Sequence, residues 1–207
     1  MKKLSLLLIA VCTCASSYGQ ADNSATINIK GGLNLSGIKD EPNGVSTNNM
    51  LGYNAGLDVR LGENLFFLQP GAYFYQYNQE YTIVDFSDPT EAKATGDIKV
   101  QSIKVPVLLG ARVVSSDALT IRINAGPAFN FPVDVTSSNE GFQIQRKNYN
   151  SANVGGVLGA GVDLAFFTFD LNYEFGLSEY IDFSKSPDFT SGSSEQFVIS
   201  LNVGVKF

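Results

Sequence analysis

The chain has 207 residues, which suits one domain, and its formal net charge of −6 argues against nucleic acid as a partner. It contains no histidine, the commonest general acid or base, and no tryptophan. Its two cysteines, Cys12 and Cys14, both lie near the amino terminus.

That first segment reads as a secretory leader. Met1-Lys2-Lys3 is a short basic region, and Leu4 to Cys14 is an apolar run too short to span a bilayer. Ser17-Tyr18-Gly19 supplies small residues for cleavage before Gln20. We therefore expect a signal peptide over 1–19 and one mature domain over 20–207. A lipoprotein is the competing reading, but Val11 and Thr13 precede the cysteines where a lipobox wants Gly, Ala or Ser. Cleavage removes both cysteines, and with them any disulfide or thiolate chemistry. It also removes Lys2 and Lys3, leaving twelve of fourteen basic residues against twenty acids. No later apolar run approaches eighteen residues, so membrane residence requires strands.

Eight strands are predicted, near 25–36, 50–61, 65–77, 98–113, 119–130, 152–165, 167–178 and 195–207. In the second, Leu51, Tyr53, Ala55, Leu57, Val59 and Leu61 alternate with Gly52, Asn54, Gly56, Asp58 and Arg60. In the third we expect Phe66, Leu68, Pro70, Ala72 and Phe74 outward, with Gln69, Gly71, Tyr73 and Tyr75 inward. The fourth is expected to change phase between Val100 and Ile103, at a bulge. The fifth sets Leu119, Ile121, Ile123 and Ala125 against Thr120, Arg122, Asn124 and Gly126. The sixth is glycine-rich, and the seventh alternates cleanly from Phe167 to Leu177. The eighth places Phe197, Ile199, Leu201, Val203, Val205 and Phe207 on one face. Pro70, Pro106 and Pro127 fall inside these strands, where each removes a ladder hydrogen bond.

Short links (62–64, 114–118, around 166) alternate with long ones (37–49, 78–97, 131–151, 179–194). The apolar faces carry no charge, and a Lys or Arg at mid-depth in lipid costs about 2–4 kcal/mol. The expected fold is all-β: an eight-stranded antiparallel up-and-down transmembrane β-barrel with short periplasmic turns and long external loops. It would reside in the outer membrane with lipid as its surroundings. Phe66, Phe167 and Phe207 would form the periplasmic aromatic girdle, and Tyr53, Phe74, Phe129, Phe175 and Phe197 the outer one.

The inward face collects the charges. Asp58, Arg60, Arg112, Arg122, Asp163, Asp170 and Lys206 lie near the periplasmic end, as a paired network that plugs a narrow lumen. Lys30, Lys104 and Glu174 would make a second layer near mid-depth. The alternatives are a proton or ion path, or carboxylate catalysis by Asp163 and Asp170 across the 6–7 turn. The run Gly155-Gly156-Val157-Leu158-Gly159-Ala160-Gly161 lacks the G-x-G-x-x-G spacing and reads as space for bulky lumen neighbours. The acids Asp85, Asp88, Glu91 and Asp97 lack the spacing of a calcium loop and read as a solvated loop. No enzyme activity, metal or cofactor is expected.

Several short stretches together resemble the PorT-like family of outer-membrane β-barrel proteins, common in Bacteroidota-type bacteria. They are Lys30-Gly31-Gly32-Leu33-Asn34-Leu35-Ser36, Leu68-Gln69-Pro70, Val105-Pro106-Val107-Leu108-Leu109 and Ala125-Gly126-Pro127. Leu158-Gly159-Ala160-Gly161-Val162-Asp163-Leu164 and Gly204-Val205-Lys206-Phe207 complete the set. The family often has glutamate after Leu-Gln-Pro, where this chain has Gly71. It often has another glutamate two residues before the strand-4 proline, where this chain has Lys104, so the family's interior pairing is not carried to those two positions. The resemblance implies an eight-stranded barrel, and it implies that Phe207 is a label for the barrel-assembly machinery. Members range from secretion or gliding accessories to proteins without assigned roles. The expectation is a non-enzymatic structural or surface-binding barrel, its loops open to an extracellular ligand. A secretion accessory whose loops meet a secretion-system protein, or a narrow pore, is the alternative.

Overall fold

The computed structural model describes residues 25–38, 45–62, 65–84, 93–116, 118–137, 152–177 and 196–207. The strands are β1 (Ala25–Ile38), β2 (Val45–Leu61), β3 (Phe66–Val84), β4 (Lys93–Ser115), β5 (Leu119–Ser137), β6 (Asn153–Leu164), β7 (Phe167–Gly176) and β8 (Gln196–Lys206). Each pairs antiparallel with the next, and β8 returns to β1 to close the barrel. Closure leaves no sheet edge among the paired positions, which is what a sheet in hydrocarbon requires. Ile27 and Phe207 exchange both backbone hydrogen bonds, at 3.1 and 2.8 Å, in the closing seam. The expected leader over 1–19 and its expected cleavage site before Gln20 lie outside the described residues.

The period-two pattern puts polar groups inside and apolar groups outside. In β1, Asn28, Lys30, Asn34 and Ser36 are buried, while Ile27, Ile29, Leu33 and Leu35 are exposed. Lys30 is 4% exposed and its near neighbour Leu33 52%. Such a surface is inverted relative to a water-soluble barrel and suits a hydrocarbon surround. The inward face still holds one small apolar cluster, Leu108, Ala128 and Val157, on the β4–β6 wall.

Three tight turns share one end. Gly62 takes φ 129°, which only glycine accepts readily, between β2 and β3. Between β4 and β5, the Ser116 hydroxyl accepts from the Leu119 amide at 3.2 Å and donates to the Leu119 carbonyl at 2.9 Å. Ala165-Phe166 joins β6 to β7, with Ala165 at φ 49°.

At the other end the strands outrun the expectation. β2 begins at Val45 and β3 runs to Val84, while β4 begins at Lys93 and β5 runs to Ser137. The expected loops 37–49, 78–97 and 131–151 are therefore partly strand. Their polar sequence hides the alternation, because beyond the lipid neither face must be apolar. Asp85, Asp88 and Glu91 lie outside the described residues, as does the side chain of Asp97.

The faces of β3 follow the expected register: Leu68 and Ala72 point outward, and Gln69, Tyr73 and Tyr75 are buried. In β4 the expected phase change is absent. Val100 is buried in phase with Ser102 and Lys104. The irregularity is on the partner strand, where β5 gains Val133 against Gln101–Ser102. A second extra residue, Val113, lies in β4 opposite Arg122–Ile121. Pro70 and Pro106 cause no slip. The β3–β4 ladder passes from Pro70↔Val107 to Tyr73↔Lys104, and β4–β5 from Pro106↔Ala128 to Leu109↔Ala125, each in unchanged register.

Candidate functional site

Eight strands enclose a space that side chains can fill, so the inward positions decide whether the barrel conducts. The lower layer joins five strands. Lys30 of β1 lies 2.7 Å from both Asp58 of β2 and Asp170 of β7. Arg122 of β5 contacts Asp170 at 3.0 Å and Asp163 of β6 at 2.7 Å. Arg60 of β2 reaches the other oxygen of Asp163 at 2.8 Å. The result is one chain of alternating charge, Asp58–Lys30–Asp170–Arg122–Asp163–Arg60, running across the lumen.

Neutral donors finish the layer. Asn28 Nδ2 donates to Asp58 at 2.7 Å, and the Tyr73 hydroxyl donates to the other Asp58 oxygen. Arg122 also donates to Thr168 Oγ1 at 2.8 Å. Position 161 must be small, because a Cβ there would collide with the Asp170 carboxylate and the Arg122 guanidinium. That places part of the glycine run against a crowded lumen.

An upper layer stands apart. Lys104 of β4 is bonded to Glu174 of β7. Its ammonium sits 4.0 Å from the centre of the Tyr75 ring and 5.5 Å from that of Tyr77. Tyr73, Tyr75 and Tyr77 line up along β3, all buried, and Tyr75 and Tyr77 stack at 5.6 Å. A cavity of about 40 Å³ separates the two layers, bordered by Lys30, Asp58, Tyr73, Lys104, Asp170 and Glu174. It has room for a few waters only.

The expected residues thus divide as follows. Asp58, Arg60, Arg122, Asp163 and Asp170 come together at the turn end. Lys206 reaches Asp163 only at 3.9 Å and is partly exposed. Arg112 donates to the Gly62 carbonyl at 2.6 Å. Lys104 and Glu174 form the expected second layer. Lys30 does not join them: its long side chain reaches down to Asp58 and Asp170. Asp163 and Asp170 are held apart as acids by Arg122 between them, an arrangement suited to pairing.

Sequence reasoning passed over Phe67, whose ring is 5.4 Å from both the Arg60 and Arg112 guanidinium carbons. It also passed over Asn28, Thr168 and Tyr77. Each has inward parity on its strand, so the same alternation that located the charges contained them. The girdle residues Phe66, Phe167 and Phe207 are exposed at the turn end, and Phe166 packs on Phe167 at 4.3 Å. Toward the other end Tyr53 is exposed and sits 6.4 Å from Phe74.

Residues 18–182 match the family described as outer membrane protein beta-barrel domain. The fold is similar to that of outer membrane protein OprG from Pseudomonas aeruginosa, with TM-score 0.54 and 14% identity. That likeness covers 89% of this chain and 96% of the other. Ail, the attachment invasion locus protein of Yersinia pestis, gives TM-score 0.48 and 16% identity over 89% of this chain and 99% of that one. Neisserial surface protein A gives 0.49 and 13% over 89% and 98%. No curated protein matches the chain.

Proposed function

The chain belongs to the family of outer-membrane β-barrel domain proteins, and on that premise we propose a plugged, non-enzymatic barrel with a structural or surface-binding role. The observation behind this reading is the lumen crossed twice, by the Lys30–Asp170–Arg122–Asp163 chain and by Lys104–Glu174 against Tyr75. Charges so paired hold one another in place across the lumen, and each removed partner would strand a buried charge. Any recognition would then fall to the external segments, of which 39–44, 85–92, 138–151 and 178–195 lie beyond the described strands and loops. The test is reconstitution of folded protein in planar bilayers. A silent membrane is the expected result. Regular unitary steps would replace the plug with a narrow pore.

Within this family a PorT-like accessory of protein secretion is the second reading. It is favoured by the ordered set from Lys30-Gly31-Gly32 to Gly204-Val205-Lys206-Phe207. Unchanged secretion in a strain lacking the gene would remove it. The proposal includes a leader over 1–19, which an intact mass beginning at Gln20 would verify. It also includes Phe207 as the residue met by the barrel-assembly machinery; equal amounts of assembled Phe207→Ala and wild-type barrel would dismiss that role.

A further inference from the structure

A second, smaller space lies beyond the upper layer, toward the external end of the lumen. It measures about 10 Å³, enough for one water, and Asn130, Asn153, Gly155, Glu174, Gly176 and Gln196 are among its lining. Glu174 borders both this space and the cavity between the layers. Its Oε2 is bonded to Lys104, which faces the inner cavity. Its Oε1 lies over Gly155, which borders the outer space, and would be 3.0 Å from a Cβ built there. One carboxylate thus stands between the inner cavity and the external end.

The outer space offers that group a second set of partners. Asn130 and Asn153 face each other across β5 and β6, and they and Gln196 are 3%, 5% and 8% exposed. Asn130 Oδ1, Asn153 Oδ1 and Nδ2, and Gln196 Nε2 have no hydrogen-bond partner among the described residues. Buried amides left so cost free energy. A neutral carboxyl supplies what they lack, a hydroxyl for an amide oxygen and a carbonyl for an amide N–H. Lys104 keeps a hold when Glu174 leaves, because its ammonium lies 4.0 and 5.5 Å from the centres of the Tyr75 and Tyr77 rings. Solvent meets the pair from the carboxylate side: the Glu174 side chain is 15% exposed and that of Lys104 3%. The charged and titratable groups around Glu174 are Lys104 of β4 and Tyr75 and Tyr77 of β3, with Lys30, Asp58, Tyr73 and Asp170 across the cavity. Its strand partners on β6 and β8, Val157 and Val198, carry no charge, and neither does Asn130 of β5.

We propose that Glu174 is a two-position latch on the external side of the plug. Ionised, it is tied to Lys104 and closes the inner cavity. Protonated from the external solvent, it turns onto Gln196 and the Asn130–Asn153 pair and opens that cavity to water. The lower layer stays closed in both positions, so the barrel remains plugged. The chain has no cysteine after Cys14, so Ser200→Cys in the folded, detergent-purified barrel of residues 20–207 puts one thiol on the cavity wall. Its rate of labelling by a small neutral thiol reagent is the readout, and each variant is first shown to be folded by its gel mobility. Glu174→Gln, the neutral isostere, should speed labelling about tenfold at neutral pH. Equal rates with and without Glu174→Gln overturn the latch. In the Glu174→Gln background, Asn153→Ala and Gln196→Ala should each slow labelling again, although each widens the route. If labelling stays fast in both, the ion pair merely held the wall together and the second position does not exist. Acid gives an independent arm. The ratio of the Glu174→Gln rate to the wild-type Glu174 rate cancels the titration of the thiol itself. It should fall toward one between about pH 7 and about pH 4, the range in which carboxylates take up protons. A ratio that stays constant over that range overturns the proposal.

Discussion

Arg122 is the residue on which the lower layer turns. It is fully buried and bridges two carboxylates that no other single cation joins among the described residues. Replacing it by methionine keeps most of the volume and leaves Asp163 and Asp170 facing each other with half their compensation. The expected loss is about 3–5 kcal/mol, as for other buried pairs broken from one side. It is read as a lower urea midpoint for the folded barrel in lipid. Lys206→Gln, at a 3.9 Å contact near the rim, should move that midpoint far less. A larger shift for Lys206 than for Arg122 would contradict the hierarchy. At this scale the sequence was partly legible. Strand parity identified which charges point inward. It carries no information on reach: parity alone places Lys30 in the layer of Lys104, whereas its side chain extends one layer lower, to Asp58 and Asp170.

Strand β7 is the element in which physical cause and pattern agree most closely. Phe167, Phe169, Leu171 and Tyr173 are exposed, and Thr168 and Asp170 are buried between them. Leu171 pairs with Ala160 on one side and Leu201 on the other, in the middle of the apolar belt. Leu171→Arg should destabilise the barrel by about 2–4 kcal/mol, because the guanidinium must enter hydrocarbon. Leu171→Phe should be close to neutral in the same refolding titration. If both variants match wild type, this face does not meet lipid. Strand β4 shows the limit of pattern. Its 23 residues exceed the expected span because Lys93 to Asp97 pair with β3 without an apolar alternation to mark them. Val100 misled in a different way. It is apolar, but its 2% exposure is lumen burial, where it packs in phase with Ser102 and Lys104.

Taken whole, the molecule is a closed ladder, and its unfolding should be all-or-none with slow kinetics in detergent. Unboiled and boiled samples should therefore run at different mobilities on a detergent gel. Identical mobility, or recovery of the protein in the soluble periplasmic fraction, would exclude the membrane barrel. Periodicity by itself determined the strand number, the inward and outward faces of nearly every strand, and the end at which the short turns lie. These follow from local rules: side chains alternate along a strand, and lipid accepts no charge on the outer face. Only the tertiary structure decided the partners across the lumen. Lys30 with Asp170, Arg60 with Asp163 and Lys104 with Glu174 join residues from strands far apart in the chain. Those contacts depend on the stagger of eight strands around the ring, and stagger is a property of closure that no single strand carries.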